Sequence, residues 1–409
     1  MKTPANWQSV LMHRIADVRS GLSKSSNREG QSVKKPYMRV ANVQDGFIDL
    51  SEVQEIDVPI NQVARFTLMP GDILLIEGNG NPENLGRGCI WGGQIPDCVH
   101  QNHVFAVRTL KDAKLLPDFL MLQLQSRRGR NYLLSCAKSS TGLATLNASQ
   151  LNQFPVHLPP LPEQRKIAEI LRTWDEAIEK LTALRSANLS RRIWMRSHLF
   201  TGRIRLPGHT GAWREVTLGK VLTEHGLNGA GAEEVFSVSV HKGLINQIEH
   251  LGRSFAAADT GHYNRVLPGD IVYTKSPTGE FPLGIIKQSK IAQEVIVSPL
   301  YGVFTPATHA LGVILDALFE SPIAVRNYLH PLVQKGAKNT IAITNRRFLE
   351  GKLRLPMDPA EQAAIAEVAI TTQAELACID AEIDALTRQK RGLMQKLLTG
   401  EWRVKVETN

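Results

Sequence analysis

Two stretches of the chain, 163 to 200 and 361 to 398, carry apolar residues at a helical spacing, and no proline interrupts either. Alternate steps of four and three through the first give Ile167, Leu171, Trp174, Ile178, Leu181, Arg185, Asn188, Arg192, Met195 and Leu199. The same steps through the second give Ile365, Ala369, Thr372, Leu376, Ile379, Ile383, Leu386, Lys390, Leu393 and Leu397. A spacing near 3.5 residues keeps a stripe facing one partner helix over many turns. Each helix would run roughly 55 Å, more than the width of a domain of about 150 residues, so a helix lying only on its own domain would leave much of its stripe bare. The pattern therefore predicts that the two helices cover one another. The polar stripe residues Arg185, Asn188, Arg192 and Lys390 either fix register and orientation or meet solvent near a splayed end.

The segments before each helix have shorter periods. The runs Asp72-Ile73-Leu74-Leu75-Ile76 and Val104-Phe105-Ala106-Val107, bounded by Gly, Pro and Asn, predict strands. Residues 117 to 134 predict a helix opened by Pro117, with Phe119, Leu122, Leu124 and Leu133 on its apolar side. Residues 268 to 273 and 295 to 304 repeat the strand signal, and 311 to 329 repeat the helix.

These likenesses reflect one duplication at an offset of 198 residues. Met69-Pro70-Gly71-Asp72-Ile73 returns as Leu267-Pro268-Gly269-Asp270-Ile271, Asn147 and Leu151 as Asn345 and Leu349, and Leu199-Phe200-Thr201-Gly202 as Leu397-Leu398-Thr399-Gly400. A solenoid repeats every 20 to 50 residues or so, so this is a doubled module. The expected division is 1–160 and 204–358 as two similar α/β domains, with 161–203 and 359–409 as the helical segments, an α+β chain with pseudo-two-fold character. Such a chain can present two similar surfaces to a partner that has near-symmetry of its own.

Composition changes the picture in three ways. A length of 409 residues with 43% hydrophobic content allows each half its own core. A net charge of +9 and a pI near 9.4 favour a polyanionic partner. The four cysteines, Cys89, Cys98, Cys136 and Cys378, are too scattered for a disulfide framework or a zinc knuckle, which suits a reducing cytoplasm. Neither a leader-like apolar stretch nor a run of about 18 apolar residues occurs, so neither export nor a membrane span is expected.

Catalytic motifs are missing. Glu77-Gly78-Asn79-Gly80-Asn81-Pro82-Glu83-Asn84-Leu85-Gly86-Arg87-Gly88 fits neither the phosphate-binding loop nor the dinucleotide fingerprint. It reads either as a plain connection or as a loop lying against DNA through residues such as Asn79 and Arg87. Its counterpart holds the same place with other chemistry, Lys275-Ser276-Pro277-Thr278-Gly279, in which Lys275 and Thr278 are the candidates. Asp97, Asp112 and Lys114 imitate a nuclease spacing across a run that belongs to the core, and His100 and His103 read as structural or surface residues rather than metal ligands. Basic and hydroxyl clusters recur in both halves: Arg127, Arg128 and Arg130; Lys138, Ser139, Ser140 and Thr141; Lys335, Lys338, Asn339 and Thr340; Arg346 and Arg347. Cations neutralise phosphates and hydroxyls or amides bond to their oxygens, so these are either solvated surface clusters or contacts that position a nucleic acid.

Leu158-Pro159-Pro160-Leu161-Pro162-Glu163-Gln164-Arg165-Lys166-Ile167-Ala168 with Leu199 to Gly202, and Pro356 to Ala366 with Leu397 to Gly400, resemble the DNA-specificity subunit of type I restriction-modification enzymes. The second copy departs from the first, with Met357-Asp358-Pro359-Ala360 before its helix and Ala363-Ala364 in place of Arg165-Lys166. The resemblance implies a non-catalytic subunit with two target-recognition domains, each reading one half of a bipartite double-stranded DNA target. The helices would pair antiparallel as a coiled coil and set the unread spacer. It further implies two methyltransferase subunits as partners, optionally two restriction-translocase subunits, with S-adenosylmethionine, ATP and Mg on those partners and no cofactor in this chain.

Overall fold

A computed structural model of the chain describes residues 4–23, 31–79, 81, 84–139, 144–231, 233–251, 260–335 and 341–406. It separates into two compact units, Met1–Leu181 with Glu382–Asn409, and Thr182–Ala381.

The first unit is built on a four-stranded antiparallel sheet in the order Ala16–Ser20, Val104–Thr109, Ile73–Ile76, Gly88–Ile90. Its central strand is apolar at every position because both faces are covered. Ile73 and Leu75 join Phe105, Val107 and the helices in one core, while Leu74 and Ile76 join Met38, Trp91 and Cys98 in another. A second sheet, Gln54–Pro59, Ser32–Met38, Val99–His100, carries one parallel pairing. Between Asp97 and Asp112, whose spacing only imitates a nuclease, the strand Val104–Thr109 is core from Val104 to Val107. His100 is buried with it, and its Nδ1 lies 2.7 Å from the Val104 carbonyl.

Burial pulls His100 down to about 4. The unfolded chain therefore takes up a proton near pH 6.5 that the folded chain refuses until about pH 4, and stability falls as pH drops through that window. Urea titrations should show a loss approaching 3 kcal/mol from this group, removed in His100→Gln; an unchanged pH slope in that variant would contradict the assignment.

The second unit repeats the plan. Its four-stranded sheet runs Leu222–Thr223, Gly302–Pro306, Ile271–Tyr273, Ile286–Gln288, again antiparallel, with alternate residues divided between two cores. The expected strand over 295 to 304 is two strands, Val295–Val297 in the second sheet and Gly302–Pro306 in the first. The Pro-Gly-Asp-Ile repeat is a turn whose glycines, Gly71 and Gly269, take φ of +92° and +89°. Asp72 and Asp270 each accept the amide three residues back at 2.8 Å. Arg108 adds two bonds of 2.6 Å to Asp72, whereas Asp270 receives Thr305 and lies against His225.

Each expected single helix in these units is two helices. Pro117–Gln125 gives way to Arg127–Cys136 at Ser126, and His309–Phe319 to Pro322–Leu329 at Ser321. Ser126 accepts the Gly129 amide and Ser321 the Ala324 amide, so each serine restarts a helix rather than continuing one. In the second unit Pro322 also lacks the amide that a continuous helix requires.

The two long helices, Leu161–His198 and Pro359–Leu398, begin at equivalent residues despite their different leads. A proline stands in the first turn of each, where its missing N–H costs nothing. In the first unit Ile167 and Leu171 share a core with Leu393, Met394, Leu397 and Leu398, and Lys390 pairs with Asp175. In the second, Arg185 pairs with Asp380 and Arg191 with Glu375, so residue numbers rise along one helix as they fall along the other. Within each unit the helices are antiparallel. Every position of both stripes is buried or half-buried.

The polar stripe residues have partners. Arg185 and Lys390 bridge to the facing helix, and Asn188, 8% exposed, donates to Leu184 of its own helix at 3.1 Å. Arg192 departs from both sequence readings. It grips Glu320, the residue that closes helix His309–Phe319, together with Arg196.

Candidate nucleic-acid interface

In the first unit the backbone brings two of the sequence clusters side by side. Lys138–Ser139 pairs with Ala144–Thr145, and that strand pairs with Gly78–Asn79, so Asn79 stands across Ala144 from Ser139. Ser140 and Thr141 lie outside the described residues. The glycine-rich connection is held from three sides. The Glu77 carbonyl accepts the Leu146 amide at 2.8 Å, His103 Nδ1 lies 2.6 Å from the Glu77 carboxylate, and Arg130 donates to the Leu85 carbonyl.

The arginine cluster thus divides by role. Arg130 anchors the connection, while Arg127 and Arg128 are exposed at the start of helix Arg127–Cys136. Gly129, between Arg128 and Arg130, is buried, and a Cβ there would stand 2.2 Å from the Gln123 carbonyl oxygen. Arg87 is half-buried and reaches the Val40 carbonyl at 3.4 Å.

The second unit places its hairpin and loop candidates on the corresponding elements and its arginine pair on a helix whose counterpart, Ala148–Asn152, carries no cation. Gln334–Lys335 pairs with Ile341–Ala342 as a hairpin, and Lys338, Asn339 and Thr340 lie outside the described residues. Helix Asn345–Glu350 follows, with Thr344 as its cap where the first unit uses Asn147 in a full capping box. Arg346 and Arg347 pair with Glu350 at 3.4 and 2.7 Å. The hydrogen bond from Arg347 holds the Glu350 carboxyl below its usual range.

Lys275 takes a left-handed φ of +59° and is half-buried. Burial lowers its ammonium against the opposing pull of Glu224, the same carboxylate that accepts from Asn345. Glu224 therefore links the Lys275 loop to the start of the Arg346-Arg347 helix. Thr278 is exposed in a tight turn closed by paired backbone bonds to Phe281. Among the described residues no group of three or more His, Cys, Asp or Glu could hold a metal ion, and no helix is long and apolar enough to cross a membrane.

The buried residues that join each sheet layer to the long helices were not singled out from sequence, although their signal was present. The Glu-Gln pair at each helix start is buried, Glu163 with Gln164 and Glu361 with Gln362. Gln164 bonds the Lys114 and Pro159 carbonyls, each at 2.8 Å, and Gln362 the Pro356 carbonyl at 2.9 Å. Arg205 and Arg403, three residues beyond each Thr-Gly, ion-pair with Glu361 and Glu163 and repeat at the common offset.

Comparison with known proteins is consistent with this architecture. Residues 4–188 match the family described as the type I restriction modification DNA specificity domain. The chain is 24% identical over 419 aligned residues to a putative type I restriction enzyme MjaX specificity subunit of Methanocaldococcus jannaschii, covering 98% of this chain and 95% of that protein. It is 28% identical over 179 residues to the EcoKI specificity subunit of Escherichia coli, covering 43% of this chain and 37% of that one. Among solved structures, the S subunit of a type I restriction-modification system from M. genitalium aligns with a TM-score of 0.57 at 15% identity, covering 97% of both chains. A chain solved in a study of complex assembly and conformational transition of the type I system aligns with a TM-score of 0.58 at 15% identity, covering 98% of this chain and all of that one.

Proposed function

We propose that the chain is a non-catalytic DNA-specificity subunit of the type I restriction-modification family, to which residues 4–188 and the relatives above are similar, and that each unit reads one half of a bipartite double-stranded DNA target through its hairpin and adjoining loop. The observation that carries the reading is the duplication. The same fold appears twice, with a hairpin and a loop that carry candidate residues in each unit but with different residues on them and with the arginines on non-equivalent helices, as two readers of different half-sites require. Arg127, Arg128, Arg346 and Arg347 serve as phosphate contacts that fix orientation, while Asn79, Lys138, Ser139, Lys275, Thr278 and Lys335 stand nearer the elements that would enter a groove. Arg87 and Arg130 support the loop from behind.

The antiparallel helices set the length of unread DNA between the half-sites and dock two methyltransferase subunits. S-adenosylmethionine chemistry then belongs to those partners, and ATP and Mg to restriction subunits where these join. Two readers on one face of B-DNA are spaced near a helical turn of about 34 to 36 Å, a length that rods of roughly 55 Å can span.

The reconstituted methylase decides the matter. Its affinity for duplex DNA should fall steeply with salt, and Arg127→Ala with Arg128→Ala should reduce the slope of log affinity against log salt by about one each while leaving sequence preference intact. Genome-wide methylation mapping should show a bipartite pattern only when this chain is present. Affinity with neither sequence preference nor salt dependence would leave a DNA-free scaffold, and methylation by the purified chain alone would make it an enzyme.

A further inference from the structure

Each unit contains a buried glutamate at a helix start held by a tryptophan and an arginine from two other parts of the chain. In the first unit Trp7 Nε1 donates to Glu163 Oε2 at 3.1 Å, and Arg403 donates to both carboxylate oxygens at 2.6 and 2.9 Å. In the second, Trp213 Nε1 donates to Glu361 Oε1 at 3.0 Å, and Arg205 grips the same carboxylate through Nε and through Nη2, the latter at 2.7 Å. Each guanidinium also lies over its tryptophan, 5.9 and 6.0 Å from the ring centroid. Glu163 and Glu361 are 3% and 0% exposed.

Resting on the reading of the two units as half-site readers, we propose that these two clamps are positioning residues that seat each unit's sheet layers on its helices, so that each clamp governs definition of one half-site. The connectivity supports the assignment. Tryptophan belongs to the edge strand region of the unit, at Trp7 before Gln8–Leu11 or within Trp213–Thr217; glutamate belongs to the head of one long helix; arginine follows the end of the other. One carboxylate therefore ties three chain segments, adding a directional polar contact to the strand pairing and apolar core that they share. A bidentate guanidinium fixes angle as well as distance, and the indole N–H supplies a third donor to the same carboxylate.

The repeated Thr-Gly explains how the arginine arrives. Gly202 and Gly400 take φ of +69° and +72° at the helix ends. A Cβ at Gly202 would stand 2.6 Å from the Trp213 ring, and one at Gly400 would stand 2.4 Å from Pro4. Only glycine allows both the turn and the close approach. Base reading needs a supporting frame held to about half an ångström, so a loosened clamp degrades recognition before it unfolds the unit.

The test uses the reconstituted methylase, with half-sites assigned by exchanging residues 1–155 for those of another family member. Arg403→Gln is expected to lower base discrimination in the first unit's half-site about tenfold and leave the other unchanged, and Arg205→Gln should do the reverse. Arg403→Lys keeps the charge without the fork and should fall between. A second readout needs no DNA: spin labels at Lys34→Cys and Lys180→Cys, both exposed in the first unit, with Cys136→Ser and Cys378→Ser in the background and the buried Cys89 and Cys98 left in place. Their distance distribution should broaden in Arg403→Gln and stay sharp in Arg205→Gln. An unchanged distribution in Arg403→Gln, or equal loss at both half-sites from either variant, overturns the proposal. A wild-type complex without sequence preference overturns the half-site reading instead, and the label distances still decide the clamp.

Discussion

Ile167→Asp is expected to destabilise the first unit by about 4 kcal/mol or more, and Ile365→Asp the second by a similar amount, because each would bury an unpaired carboxylate. Both isoleucines are fully buried, and each sits where the helix stripe meets the core of its unit. Leu181 lies on the same stripe but is only half-buried, so Leu181→Asp should cost about 1 to 2 kcal/mol and act mainly on helix pairing. The gradient follows from what covers the stripe: a domain core near Ile167, Leu171, Leu199, Ile365 and Leu397, and only the facing helix near Ile178, Leu181, Ile383 and Leu386. Urea unfolding followed by circular dichroism measures the three values, and size-exclusion chromatography with methyltransferase subunits reports assembly. Equal costs at Ile167 and Leu181 would mean that the units do not cover the stripe ends as described.

The parts of the fold legible in sequence are those governed by one dominant force. The stripes were readable because a heptad over some forty positions leaves little room for another structure, and the both-faces-buried strand Ile73–Ile76 because a continuous apolar run in a short segment has few uses. Other features depended on single side chains whose role is set by tertiary neighbours. Ser126 and Ser321 interrupt what looked like uniform apolar periodicity, and a serine within an amphipathic pattern announces a cap only once its hydroxyl is seen taking an amide. Spacing alone places Arg192 on the stripe, yet its charge is drawn to Glu320, over a hundred residues away. Arg130 could not be told from Arg127 and Arg128 by composition, since the Leu85 carbonyl that takes it inward is invisible to any local pattern. The clamp arginines were legible in principle, because Arg205 and Arg403 share the offset of the whole repeat, but conservation of spacing within one chain shows that a residue matters without showing what it holds.

Four residues inserted between Thr182 and Ala183 should lengthen the unread spacer of the methylated target by about one to two base pairs. The added helix rises about 6 Å, against about 3.4 Å for each base-pair step, and any inclination of the helices to the duplex reduces the gain. The choice of four matters as much as the length. Four residues exceed one helical turn slightly, so the stripe beyond the insertion moves by about 40° and remains against its partner, a stutter that a coiled coil absorbs by local unwinding. Two residues would rotate the far stripe by about 200° and turn Asn188, Met195 and Leu199 away from the surfaces that bury them. The two-residue variant is therefore expected to lose assembly and methylation although it adds less length. Methylation mapping of both variants separates the ideas cleanly: the original spacer in the four-residue variant would show that the helices do not measure the target, and full activity in the two-residue variant would show that the facing stripes do not hold them together.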